Sequence, residues 1–196
     1  MTQSLWPDRL SKALKKVVGE RVRDEIITDW DDNAKSEDKA DWTRQTLDKL
    51  DALIPDKKTR IDVLSRCSCA CFEEDKIAPL RELYRKSGDI DKLLDVMYKN
   101  PFYVRPRRED NKIFFTKMPF DAEAHAKASS PEERCRTYCH CEWARAATVK
   151  MSLTHCYCGA GWYKQIMEGI LEHPVEIDIS KSVLQGDDVC EIVVRF

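Results

Sequence analysis

The run CYCGAGWYKQIMEGILEHPVEIDI, from Cys156 to Ile179, decides how this chain folds. Behind Gly159-Ala160-Gly161, the apolar residues Trp162, Tyr163, Ile166, Met167, Ile170 and Leu171 recur at the steps of a helix with one buried face. His173-Pro174 stops that helix. Val175, Ile177 and Ile179 then alternate with Glu176 and Asp178, the pattern of a half-buried strand. Gln185-Gly186-Asp187-Asp188 reads as a turn, and the final strand places Cys190, Ile192, Val194 and Phe196 on one face.

Working outward, residues 1–100 read as helical. Apolar positions from Leu10 to Trp30 form one helical face that Gly19 weakens or bends. A second helix is expected from about Asp41 to Leu53, with Pro55 as its stop. A third begins near Lys57 and carries Cys67, Cys69 and Cys71; on a helix Cys67 and Cys71 share a face, whereas an extended segment puts all three thiols on one side. Helices at Pro79 to Lys86 and Ile90 to Tyr98 follow. After Pro101 the texture becomes extended. Phe102-Tyr103-Val104 and Ile113 to Met118 read as strands joined by the charged turn Arg105 to Asn111.

Ser130, Pro131 and Glu133 form the start of a short helix, with Ser130 as cap and Glu133 completing a capping box. From Thr137 to Val149 the mix of β-branched, aromatic and small residues suggests a strand, with Cys139 and Cys141 on one face and His140 on the other. The expected fold is therefore α/β (α+β). A helical N-terminal half, residues 1–100, packs on a C-terminal mixed or antiparallel sheet with one central helix, residues 101–196, as one intertwined unit.

Lys and Arg number 33 against 35 Asp and Glu, a formal charge of -2, so no basic field exists to hold nucleic acid or an anionic membrane. No charged-then-apolar leader follows Met1 and no apolar run reaches spanning length, so a soluble, cytoplasmic protein is expected. Nine cysteines are the anomaly. A reducing compartment has no use for disulfides, and these thiols cluster in close pairs, which favours metal or redox chemistry.

Cys139-His140-Cys141 and Cys156-Tyr157-Cys158 lie fourteen residues apart. They supply four thiols for zinc or an iron–sulfur cluster, with Cys67 and Cys71 in reserve. Cys156 and Cys158 stand before a helix N-terminus, where unpaired amides favour thiolate. Two functions follow from the thiols: a metal-binding protein, or a structural protein with reduced core cysteines. A single catalytic thiol with His155 as base is a further arrangement. A homodimer is compatible with the sequence.

The C-terminal run Gly161 to Glu172, then Pro174 to Ile177, then Ser182 to Cys190, resembles the end of the 4-vinyl-reductase-like domain, an α/β small-molecule-binding module. Cys139-His140-Cys141 and Tyr157-Cys158-Gly159 look closer to a cysteine-rich branch of uncharacterised bacterial and archaeal relatives, related to the 2-amino-thiazoline-4-carboxylate hydrolase family. That resemblance implies a small-molecule ligand as partner of the metal-binding protein, and a further function: a metal-dependent hydrolase acting on a thiazoline- or amide-type substrate with metal-activated water. It also implies a zinc site in which Cys156 and Cys190 match ligand positions, while Ser182 and Ile179 stand where a cysteine and a glutamate belong.

Overall fold

The computed structural model describes residues 6–68, 74–100 and 106–196. It opens with α1 (Trp6–Val18) and α2 (Glu20–Ile26). The long helix expected here is broken at Gly19, whose φ of 89° lies in the left-handed region that a residue without Cβ enters freely. Next, α3 (Ser36–Leu53) starts ahead of the expected Asp41, because Glu37 and Asp38 favour a first turn. Then α4 (Lys57–Ser65) starts at Asp56, whose carboxylate accepts the Thr59 N–H at 2.8 Å. It ends before Cys67, so that thiol is not on a helix. Cys69 and Cys71 lie outside the described residues, and so does the expected strand Phe102-Tyr103-Val104. Two more helices, α5 (Glu74–Ser87) and α6 (Ile90–Lys99), complete the N-terminal half.

A hairpin of β1 (Arg107–Glu109) and β2 (Lys112–Thr116) follows. The expected turn from Arg105 to Asn111 is thus partly strand, and the reversal narrows to Asp110 and Asn111, with Asp110 at φ 52°. Three short helices come next: α7 (Ala122–Lys127), α8 (Pro131–Tyr138) and α9 (Glu142–Ala146). The Ser130 capping box is present, its hydroxyl accepting the Glu133 N–H at 3.1 Å. A 3-10 turn at Leu153–His155 leads into α10 (Cys156–Leu171), followed by β3 (Glu176–Lys181) and β4 (Glu191–Arg195).

The four strands form one antiparallel sheet in the order β1-β2-β4-β3. β4 is central, pairing Phe115 with Ile192 on one side and Ile177 with Val194 on the other. Ile113, Phe115, Ile177, Ile192 and Val194 are buried. Across this face lies α10, with Tyr163 against Phe115 at a ring separation of 4.9 Å. Its other side meets α4 and α5. The helix is therefore the middle layer of the molecule, which is why its apolar residues extend well beyond one narrow stripe.

The N-terminal helices and the cysteine-bearing segment are joined by a cluster of tryptophans. Trp143 of α9 lies 5.5 Å from Trp6 and 5.2 Å from Trp30, and Trp42 packs edge-on against both Trp6 and Trp30. Burying rings of this size supplies a large apolar contribution on both sides of the junction. Among the described residues no helix is long and apolar enough to cross a membrane.

Candidate functional site

The expected strand from Thr137 to Val149 is absent. The capping box and Pro131 commit the preceding residues to α8, and the helical hydrogen bonding persists to its end, where the Cys139 N–H donates to the Cys135 carbonyl at 3.0 Å. The chain bends at His140 and re-enters a helix at once. Cys139 is thus the C-cap of α8 and Cys141 the N-cap of α9. The strand-face argument fails with the strand: Cys139, His140 and Cys141 all line one cavity of about 440 Å³. His140 Nε2 is 2.9 Å from the Met118 carbonyl oxygen, and burial lowers the pKa of its imidazole.

That cavity lies between the Cys139 to Ala144 segment, the first turn of α10 and the sheet residues Ile179 and Ile192. Its volume falls in the range of small-molecule sites. Three tryptophans, Trp6, Trp143 and Trp162, and two tyrosines, Tyr138 and Tyr163, form much of the wall. Cys156, Cys158 and Cys190 complete a set of five cysteines among its lining residues. Lys117 adds a half-buried ammonium group beside α10, where a methyl placed on Gly159 would meet its Nζ at 3.7 Å. The Tyr138 hydroxyl donates to the Lys117 carbonyl, and burial holds its pKa up at about 12.

The loop entering α10 is pinned from the N-terminal half. Thr154 Oγ1 donates to Asp51 Oδ1 at 2.6 Å, and Ser152 Oγ donates to the other oxygen of the same carboxylate. The 3-10 turn then satisfies the Cys156 N–H with the carbonyls of Leu153 and Thr154. Consequently α10 begins at Cys156, three residues earlier than the glycines suggest. Its first two cysteines are separated by about 200° around the helix axis. Cys158 Sγ turns to the Cys67 carbonyl at 3.3 Å, whereas Cys156 Sγ faces Ser182 Oγ at 3.5 Å. Cys67 Sγ in turn donates to the Val63 carbonyl at 3.3 Å.

These directions bear on the expected ligand set Cys139, Cys141, Cys156, Cys158, Cys67 and Cys71. Four of the six share the cavity, Cys67 packs behind Cys158, and Cys71 is outside the described residues. Among the described residues no group of three or more His, Cys, Asp or Glu side chains is drawn together tightly enough to hold a metal ion. The positions implied by the resemblance come closer. Cys156, Ser182 and Cys190 share one wall, and the Ser182 hydroxyl serves both thiols. Two thiols, a hydroxyl and an apolar Ile179 still do not fit a closed zinc centre with four soft ligands.

The electrostatics also differ from expectation. Burial raises Cys156 to about 12, an effect the nearby Ser182 hydroxyl only partly offsets, so the early helix position does not yield a thiolate. Burial likewise raises Cys190. Cys139 and Cys135 form a pair with sulfurs 3.6 Å apart. Their hydrogen bond lowers Cys135 and raises Cys139, so the pair favours a Cys135 thiolate beside a Cys139 thiol.

Sequence reasoning left Cys135 out of the ligand set and missed Trp6, Ser68 and Lys117 altogether. The signal for Cys135 was its spacing of four from Cys139, which becomes a contact once the helix begun at Ser130 is carried to its end. No comparable signal marks the others, whose three wall positions come from distant segments. His155, weighed as a catalytic base, is 6 % exposed and its Nδ1 has no hydrogen-bond partner among the described residues. Trp6 Nε1 and Ser68 Oγ are buried without a partner in the same way, and all three residues belong to the cavity wall. Comparison with protein-family models, curated proteins and solved structures finds no match.

Proposed function

We propose that the protein binds a small, largely aromatic or aliphatic molecule carrying one hydrogen-bonding edge in this thiol-lined cavity. The observation that carries the reading is the wall itself, three tryptophans and two tyrosines around about 440 Å³, with Lys117 and Lys181 among the lining residues. A lysine ammonium can only donate, so the ligand edge needs an acceptor, such as a carbonyl. Aromatic walls supply the apolar contact, as in most ligand sites. The resemblance of the C-terminal run to a small-molecule-binding domain supports the same reading.

Binding is favoured over catalysis by a cavity thiol. The cavity thiols with shifted ionisation, Cys139, Cys156 and Cys190, are all raised, and a protonated thiol is a poor nucleophile.

Benzamide, which couples an aromatic ring to an amide, is a suitable probe, with toluene as its counterpart lacking the polar edge. Benzamide should quench tryptophan fluorescence, since three tryptophans line the cavity, and toluene should bind more weakly. Lys117→Met should weaken benzamide about 5- to 10-fold, the worth of one hydrogen bond, while leaving toluene binding unchanged. Saturation by neither compound, or equal benzamide affinity in Lys117→Met, would count against the reading.

A further inference from the structure

We propose that Cys135 and Cys139 form a reversible disulfide whose closure reshapes the cavity wall. The sulfurs of this pair lie against each other, at 3.6 Å. Both thiols are half-buried, and Cys135 is flanked by exposed Arg134 and Arg136 on a surface helix that a small oxidant can reach.

The backbone makes closure consequential. Residues four apart on an ideal helix have Cα atoms about 6.2 Å apart, inside the range that disulfides bridge, but Cβ atoms about 6 Å apart where about 3.5–4.5 Å is needed. Bonding the sulfurs must therefore open the last turn of α8. The hydrogen bond lost is the one from the Cys139 N–H to the Cys135 carbonyl, beyond which Cys139 is already extended, with ψ 130°. A bond that strains its helix end is readily reduced. Cys139 leads directly into His140 and Cys141, all three in the cavity wall, and the Arg145 guanidinium clasps the Cys139 and His140 carbonyls at 2.9 and 3.1 Å. Pulling Cys139 toward Cys135 displaces this segment.

With hydrogen peroxide as oxidant the chemistry balances. The Cys135 thiolate attacks one peroxide oxygen. An S–O bond forms, the O–O bond breaks, and the departing hydroxide takes a proton to leave as water. Cys139 sulfur then attacks Cys135 sulfur; the S–S bond forms, the S–O bond breaks, and the hydroxide leaves as water with the Cys139 proton. Two thiols lose two electrons and one peroxide gains them. A dithiol reductant reverses the bond by exchange.

The test uses the full chain, reduced, freed of any metal by chelator, and treated with equimolar peroxide before alkylation and tryptic digestion. Trypsin cuts at Arg134, Arg136 and Arg145, so the proposed bond joins the dipeptide Cys135-Arg136 to the peptide Thr137 to Arg145. This linked pair should be the first disulfide to appear, should vanish with dithiothreitol, and should be absent from Cys135→Ser and Cys139→Ser. Cys141 in the oxidised protein should alkylate several-fold faster than in the reduced protein, because its segment has moved. A first disulfide within the Thr137 to Arg145 peptide, or peroxide driving Cys135 to sulfinic acid, overturns the pairing. A Cys135–Cys139 bond with an unchanged Cys141 rate overturns the effect on the wall. Neither readout depends on a ligand, so the binding proposal stands or falls separately.

Discussion

Replacing Gly161 by alanine should destabilise the protein, although alanine is the better helix former. Gly161 is buried on the side of α10 that meets the end of α4. A Cβ there would sit 2.6 Å from Ser65 Cα and 2.7 Å from Ser65 C, and nearer still to the Ser65 carbonyl oxygen. Backbone cannot swing aside as a side chain does, so α4 must retreat by about 1 Å at its C-terminal end. Overpacking of this kind costs about 3 kcal/mol at the upper end of its usual range. The gain in helix propensity offsets about 1 kcal/mol. The net loss of about 2 kcal/mol corresponds to a Tm lower by about 4–8 °C for a chain of this size. Thermal unfolding followed by circular dichroism measures it. Gly159→Ala provides the contrast: two residues earlier on the same helix, its Cβ would meet only the flexible Lys117 Nζ, at an ordinary 3.7 Å. That variant should unfold at the parent temperature or slightly above. A Gly161→Ala protein as stable as Gly159→Ala would refute the close approach of α4 and α10, and with it the placement of Cys67 and Ser68 behind and beside the cavity.

Other expectations concern the cap and the buried thiol. Ser130→Ala removes the hydroxyl that accepts the Glu133 N–H and should cost about 1 kcal/mol in urea unfolding, with an unchanged slope against denaturant; no change would mean that α8 does not depend on its cap. Cys156, raised to about 12 by burial, should alkylate later than Cys135 at neutral pH. Because the folded value exceeds the unfolded one, this contribution to stability is complete below about pH 8.5 and is lost as pH rises toward 12. In reductant, urea unfolding at about pH 10.5 should therefore show the parent protein losing about 3 kcal/mol more than Cys156→Ser, relative to neutral pH. Parallel losses in the two proteins would contradict the buried environment of Cys156.

Sequence periodicity alone identified α10, β3 and the inward face of the last strand, because long amphipathic patterns report which side of an element is covered. The capping box at Ser130 was legible for a related reason: its hydrogen bonds are local, and the residues that make them lie three apart. Where that helix ends is a different matter. Thr137, Tyr138 and Val149 have strand-like side chains, yet the helix already under way and the burial of Tyr138 and Trp143 outweigh those preferences. The misread strand carried the face assignment of Cys139, His140 and Cys141 with it.

The individual cysteines were plain in the sequence, but their partners were not. A thiol's direction depends on whether its backbone is helical or extended, and its pKa depends on how deeply the completed fold buries it. Cys156 shows both effects: the turn pinned by Asp51 moves the start of α10 forward and sends Cys156 and Cys158 to different neighbours. The cavity itself belongs wholly to the tertiary structure. Trp6, Ser68, Lys117 and His155 come from four separated segments, and only the packing of the helical half against the sheet brings them around one space.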